Sequence, residues 1–177
     1  MSRPSSMIAA LLLMVCSMAA AQAADSVDMG SQVPDAKQVK EGLFPEDSCK
    51  ELQAAGMQCM GFKPPVRYSL PARSFAVGSA ELPALLVRQL DVFADVLRGK
   101  KGSKQVVRIE GHADASGTAE GNMTLSQKRA DAVKAYLVKK GADDAMLKAV
   151  GMGSQAPKVV ANPLAAENRR VEIGRQE

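Results

Sequence analysis

The 177-residue sequence contains no tryptophan, two tyrosines, four phenylalanines and one histidine. So thin an aromatic complement excludes the stacking platforms with which proteins grip single strands of nucleic acid, and it obliges the core to be aliphatic. The three cysteines include no CxxC pair and have no second histidine to join them, so neither a zinc site nor a redox centre is expected. Composition likewise excludes a collagen, a disordered polymer and a multi-span membrane protein.

What is present begins with a leader. Arg3 precedes an uncharged run from Met7 to Ala21, and Ala21-Gln22-Ala23 leads into Ala24-Asp25. A basic start, an apolar stretch too short to span a bilayer and an A-x-A site describe a secretory signal peptide over residues 1–23. Leu13-Met14-Val15-Cys16 offers a second route, lipidation at Cys16, although Val15 stands where a lipobox has Gly, Ala or Ser. Either route leaves Cys49 and Cys59 in an oxidising compartment, where they can form a bridge.

Charge then divides the chain. Residues 24–65 carry seven acids against four lysines and end in Lys63-Pro64-Pro65, and they read as an acidic extension or linker. Residues 66–177 hold 18 Lys and Arg against 12 Asp and Glu. A basic excess on an exported chain suits an anionic wall or membrane-surface polymer and not nucleic acid.

Hydropathy patterning predicts strands at 73–77, 104–110, 147–150 and 170–173 and helices from about 82 to 98 and 118 to 140. Ser79 is expected to cap the first helix, and Gly99 and Gly141 to end the two. This alternation implies a two-layer α/β (α+β) sandwich with both helices on one face of a mixed sheet.

The second helix breaks its own pattern. Leu125, Val133, Tyr136 and Leu137 form an apolar stripe at 100° per residue, and Asn122, Ser126 and Arg129 fall within it. Polar groups at core-facing positions are costly unless paired, so the first half of this helix is expected to face a groove. Asp114 leaves the second strand at its carboxyl end, where ligand sites gather in such sheets. Asp114 and Arg129 thus offer an anion and a cation on neighbouring elements, either as a loop-to-helix salt bridge or as a receptor for a zwitterion.

The stretches Ile109-Glu110-Gly111-His112-Ala113-Asp114-Ala115-Ser116-Gly117, Leu125-Ser126-Gln127-Lys128-Arg129-Ala130 and Asn168-Arg169-Arg170-Val171-Glu172-Ile173 resemble the OmpA-like C-terminal domain, a peptidoglycan-binding module. The resemblance spans about residues 68–175. It implies that Asp114 and Arg129 hold the diaminopimelate of the wall's stem peptide and that Asn122 helps to line the site. Ala113 departs from the family's usual Thr. His112 is expected to order the loop, and Arg169 and Arg170 to shape the last strand and the basic field. A non-catalytic peptidoglycan binder in the periplasm or at the outer membrane follows, with no cofactor and no metal, and with residues 24–65 as a candidate dock for another envelope protein. A hydrolase using His112, Asp114 and a serine is the competing class. A porin is excluded, because 24–65 cannot supply a barrel.

Overall fold

The computed structural model describes residues 26–61, 63–71, 75–76 and 78–176. The leader, its cleavage site and Cys16 lie outside them. The described chain runs β1 (Ser26–Asp28), α1 (Ala36–Leu43), α2 (Pro45–Ala54), β2 (Arg67–Pro71), α3 (Ala84–Arg98), β3 (Val107–His112), α4 (Ala119–Lys139), a 3-10 turn at Asp144–Met146, β4 (Leu147–Gly151), a second 3-10 turn at Ala166–Asn168 and β5 (Arg170–Arg175).

The sheet is mixed and ordered β1-β2-β5-β3-β4. β1 pairs with β2, and β3 with β4, in parallel; β5 runs antiparallel to both β2 and β3, inserted between them. Residues at every second strand position meet the helices: Tyr68 and Leu70, Val107 and Ile109, Val171 and Ile173 are all essentially inaccessible. Against them lie Leu86, Leu90, Phe93 and Leu97 of α3 and Ala130, Val133 and Leu137 of α4. Tyr68 and Phe93 meet edge to face with centroids 5.4 Å apart, and the rest of the core is mainly aliphatic, giving the expected two-layer sandwich.

The opposite sheet face is polar but closed. Arg67, Arg108 and Arg170 interleave with Glu110 and Glu172: Arg108 Nε lies 2.5 Å from Glu110 Oε1, Arg170 Nε lies 2.5 Å from Glu172 Oε1, and Arg67 also bonds Glu110. These pairs tie three arginines to two glutamates, so they fix the side chains on this face and leave the net positive charge of the domain unchanged.

Two local readings differ from the structure. The first strand of the basic region lies at Arg67–Pro71, ahead of 73–77; residues 72–74 and 77 lie outside the described residues, and Phe75 sits in a bend. The alternation Arg67, Tyr68, Ser69, Leu70 is the signal that identifies the true strand. Secondly, Ser79 accepts a bond from the Glu81 N–H at 3.0 Å in a local turn, and the helix begins only after Pro83.

The acidic segment is structured. Val39, Leu43 and Phe44 are fully buried in the common core, β1 joins the sheet, and Cys49 and Cys59 are bridged with their Cα atoms 5.4 Å apart. Its acids meet basic partners of the following domain: Glu46 accepts from Arg175 at 2.7 Å, Asp47 from Lys100, and Asp28 from Lys158 at 2.6 Å. Its polar composition conceals this, because only one narrow stripe of α1 is apolar.

Tyr68 joins the two parts. Its hydroxyl donates to the Gln38 carbonyl at 2.6 Å, and burial, followed by the nearby Glu41 charge, pushes its pKa up to about 12. Folding thus favours the neutral phenol. Stability is expected to hold below pH ~10, where the unfolded phenol starts to ionise, and to fall until pH ~12, by at most about 3 kcal/mol in all. Denaturant melts of the protein and of Tyr68→Phe between these limits check this, since the variant lacks the alkaline loss.

Candidate functional site

β3 ends at His112, and the chain turns through Ala113 to Thr118 before α4 begins. Thr118 caps the helix, its hydroxyl accepting from Gly121 N–H at 3.0 Å. The turn is shaped from within: Asp114 Oδ1 accepts from the Ser116 N–H at 3.0 Å and from the Ser116 hydroxyl, an Asx turn. Asn122, from the first turn of α4, donates through Nδ2 to the carbonyls of Asp114 (3.0 Å) and Ser116 (2.7 Å). It therefore braces the loop and holds Asp114 in place.

Asp114, Arg129 and Asn122 line one cavity of about 270 Å³, together with Phe75, Leu125 and Arg169. Arg129 is almost wholly buried. Its Nε donates to the Ser79 carbonyl at 3.0 Å, and its guanidinium lies 4.7 Å from the centre of the Phe75 ring. Asp114 takes its ion pair from Arg169, whose Nη1 is 2.5 Å from Oδ2. Arg129 is thus fixed without Asp114, which separates the two charges that a loop-to-helix salt bridge would have joined.

Burial alone would raise the Asp114 carboxyl, but the Ser116 and Arg169 hydrogen bonds outweigh it and hold the group below the ordinary aspartate range. Burial, and then the Arg169 charge, draw Arg129 down, with Asp114 opposing; a guanidinium so placed still stays cationic at neutral pH. The cavity consequently presents a fixed anion, two cations and the apolar walls of Phe75 and Leu125. A short aliphatic chain ending in both an ammonium and a carboxylate matches that pattern.

Arg169 is the residue that sequence reasoning assigned to the strand and the basic field and not to the site. Its signal was strand register: His112 pairs with Arg170 across β3 and β5, so Arg169, one residue ahead of Arg170, lies beyond the end of β3 beside the turn that carries Asp114. The adjoining loop is tied down by the fully buried Asn168, which accepts from Val159 N–H at 2.8 Å and donates to the carbonyls of Asn162 and Pro163, both at 3.0 Å.

Ser126 departs from expectation in another way. It faces no groove: its hydroxyl accepts from the Gly153 N–H at 2.9 Å and donates to the Met123 carbonyl at 2.9 Å. It packs over Gly111, where a Cβ would come within 2.1 Å of the Ser126 carbonyl oxygen. This polar intrusion belongs to helix–sheet packing.

The hydrolase grouping is not assembled. His112 is buried with Nε2 3.6 Å from Glu110, and it does not line the Asp114 cavity. Glu110, His112 and Glu172 do offer ligand atoms within 4.8 Å of one another, but Arg67, Arg108 and Arg170 already engage the two carboxylates. Three adjacent guanidiniums oppose a cation there, and we read the group as an ion-pair network.

Residues 74–170 match the OmpA family. The chain belongs to that family. Over 101 residues it is 43% identical to the peptidoglycan-associated lipoprotein of Pseudomonas aeruginosa, a match covering 56% of this chain and 58% of the relative. This chain thus spans less than two thirds of that relative's length. The crystal structure of the peptidoglycan-associated lipoprotein from Burkholderia pseudomallei is similar with a TM-score of 0.54 and 30% identity, covering 61% of this chain and 89% of that one. The OmpA-like domain of FopA1 from Francisella tularensis has a TM-score of 0.53 and 25% identity, over 60% and 69% of the two chains. β1, α1, α2 and β2 of this OmpA-family protein all precede the matched residues. Among the described residues, no helix is long and apolar enough to cross a membrane.

Proposed function

We propose that this OmpA-family chain is a non-catalytic peptidoglycan-binding protein of the Gram-negative cell envelope. It holds the diaminopimelate side chain of the stem peptide and so links the outer membrane, or a complex attached to it, to the wall. The observation that carries this reading is the single cavity in which an ionised Asp114 stands near a separately anchored Arg129. Asp114 receives the ligand's ammonium, Arg129 its carboxylate in a two-point contact, and Phe75 and Leu125 flank the methylenes. Asn122 acts through the loop that it braces. The names of the relatives, peptidoglycan-associated lipoproteins, support the same partner, and the leader at 1–23 would deliver the chain to that compartment.

Co-sedimentation with purified sacculi tests the reading. The protein is expected in the pellet, and millimolar meso-diaminopimelate is expected to release it. Retention unaffected by the free amino acid would place the contact elsewhere.

A further inference from the structure

A second cavity, of about 330 Å³, shares Arg169 with the first as a lining residue. Much of its wall comes from Asp28, Gly30, Ser31, Ser69 and Pro71, residues that precede the family match. That wall is anchored. The Met29 N–H donates to the Ser69 carbonyl at 2.9 Å, and the fully buried Gln89 of α3 donates through Nε2 to the carbonyls of Gly30 (3.1 Å) and Gln32 (2.7 Å). Lys158 closes it, with Nζ 2.6 Å from Asp28 Oδ2 and 3.4 Å from Ser69 Oγ.

The lining has two characters. Three cations, Lys158, Arg169 and Arg170, outnumber the carboxylates of Asp28 and Glu167, Lys158 and Arg169 have more N–H donors than their contacts to Asp28, Ser69 and Asp114 take up, and Pro71 and Leu85 provide an apolar patch. A small apolar group next to a carboxylate fits this combination. Arg169 lines both cavities, and successive Cα atoms of a peptide lie about 3.8 Å apart. A peptide gripped in the first cavity can therefore continue into the second.

We infer that the second cavity is a subsite for the residue following diaminopimelate in a stem peptide, a terminal D-alanine whose methyl rests on Pro71 and Leu85 and whose carboxylate lies between Lys158 and Arg169. The inference rests on the assignment of the first cavity to diaminopimelate. It gives the segment around β1 a part in recognition, and it makes the protein a reader of stem-peptide length.

Calorimetric titration of the protein with two soluble stem peptides, one ending at diaminopimelate and one extended by D-alanine, tests it. The extended peptide is expected to bind about tenfold tighter, the scale of one charge-assisted contact, and an amide at its C-terminus should remove the gain. Ser31→Trp, at an exposed turn position, fills the cavity, and Lys158→Gln removes its charge. Either should bring the ratio to about one and leave the shorter peptide's affinity unchanged. Equal affinities in the wild type, or a preference that survives Ser31→Trp, would overturn the subsite. Binding of neither peptide by the wild type would overturn the diaminopimelate assignment and the subsite with it.

Discussion

Asp114→Ala and Arg129→Ala are each expected to release the protein from sacculi, with affinity for a soluble diaminopimelate peptide reduced by tenfold to a hundredfold. The figure follows from about 1.5 to 3 kcal/mol for a hydrogen bond to a charged group. The two changes act differently on the free protein. Asp114→Ala also removes the acceptor for Ser116 and the partner of Arg169, so loop order and ligand charge are lost together. Asp114→Asn separates them, because its amide oxygen can keep the Ser116 turn while the charge is gone. A loss of binding as large in Asn as in Ala assigns the effect to the carboxylate. Arg129→Ala leaves the Asp114, Ser116 and Arg169 contacts in place, and Arg129→Lys retains the charge without the planar fork. Lysine is expected to recover only part of the affinity. Arg129→Ala binding like the wild type, with an unchanged melting temperature, would remove Arg129 from the site.

Gly111→Ala is expected to cost about 3 kcal/mol of stability and to lower the melting temperature by roughly 10 °C. The added methyl would sit 2.1 Å from the Ser126 carbonyl oxygen and 2.9 Å from its carbon, both backbone atoms of α4. No side-chain rotation relieves that contact, so the helix must lift from β3. Gly151, paired with Gly111 in register, has the same constraint, its Cβ position lying 2.7 Å from the Gln127 nitrogen. Since Arg129 is carried on the turn of α4 that would move, binding should fall along with stability. Gly99→Ala is the comparison: that glycine ends α3 with φ −67°, and its Cβ would meet nothing closer than 3.4 Å. It should change stability by less than about 0.5 kcal/mol. Equal melting temperatures for Gly111→Ala and the wild type would contradict the helix–sheet contact.

The pattern of α4 made much of the site legible. Thr118 and Gly141 marked its ends, and the observed helix, Ala119–Lys139, falls between them. Arg129 stood out because a charge within an apolar stripe requires a partner or a ligand, and Asp114 because it leaves a strand at the carboxyl end, where ligand sites gather. Periodicity alone could not divide the three intrusions among their tasks. Asn122 turns back to loop carbonyls, Ser126 serves the close approach over Gly111, and only Arg129 lines the cavity with its charge. That division depends on what lies opposite each turn, which is a tertiary matter. Arg169 was hidden for a similar reason: β5 enters between the parallel strands β2 and β3, and nothing in the spacing of strands along the chain states that order. Residues 24–65 misled through composition, since three of their acids are turned onto basic residues of the following domain and the stripe of Val39, Leu43 and Phe44 is too short to stand out.

On the function proposed above, the cavity recognises the two charges at the end of diaminopimelate together. Lysine in the same position of a stem peptide keeps the ammonium and the methylenes and lacks the second carboxylate. Calorimetric titration of the protein with two stem peptides that differ only in that residue therefore isolates the Arg129 contact. The diaminopimelate peptide is expected to bind at least tenfold more tightly than the lysine peptide; equal binding of the two would contradict the account.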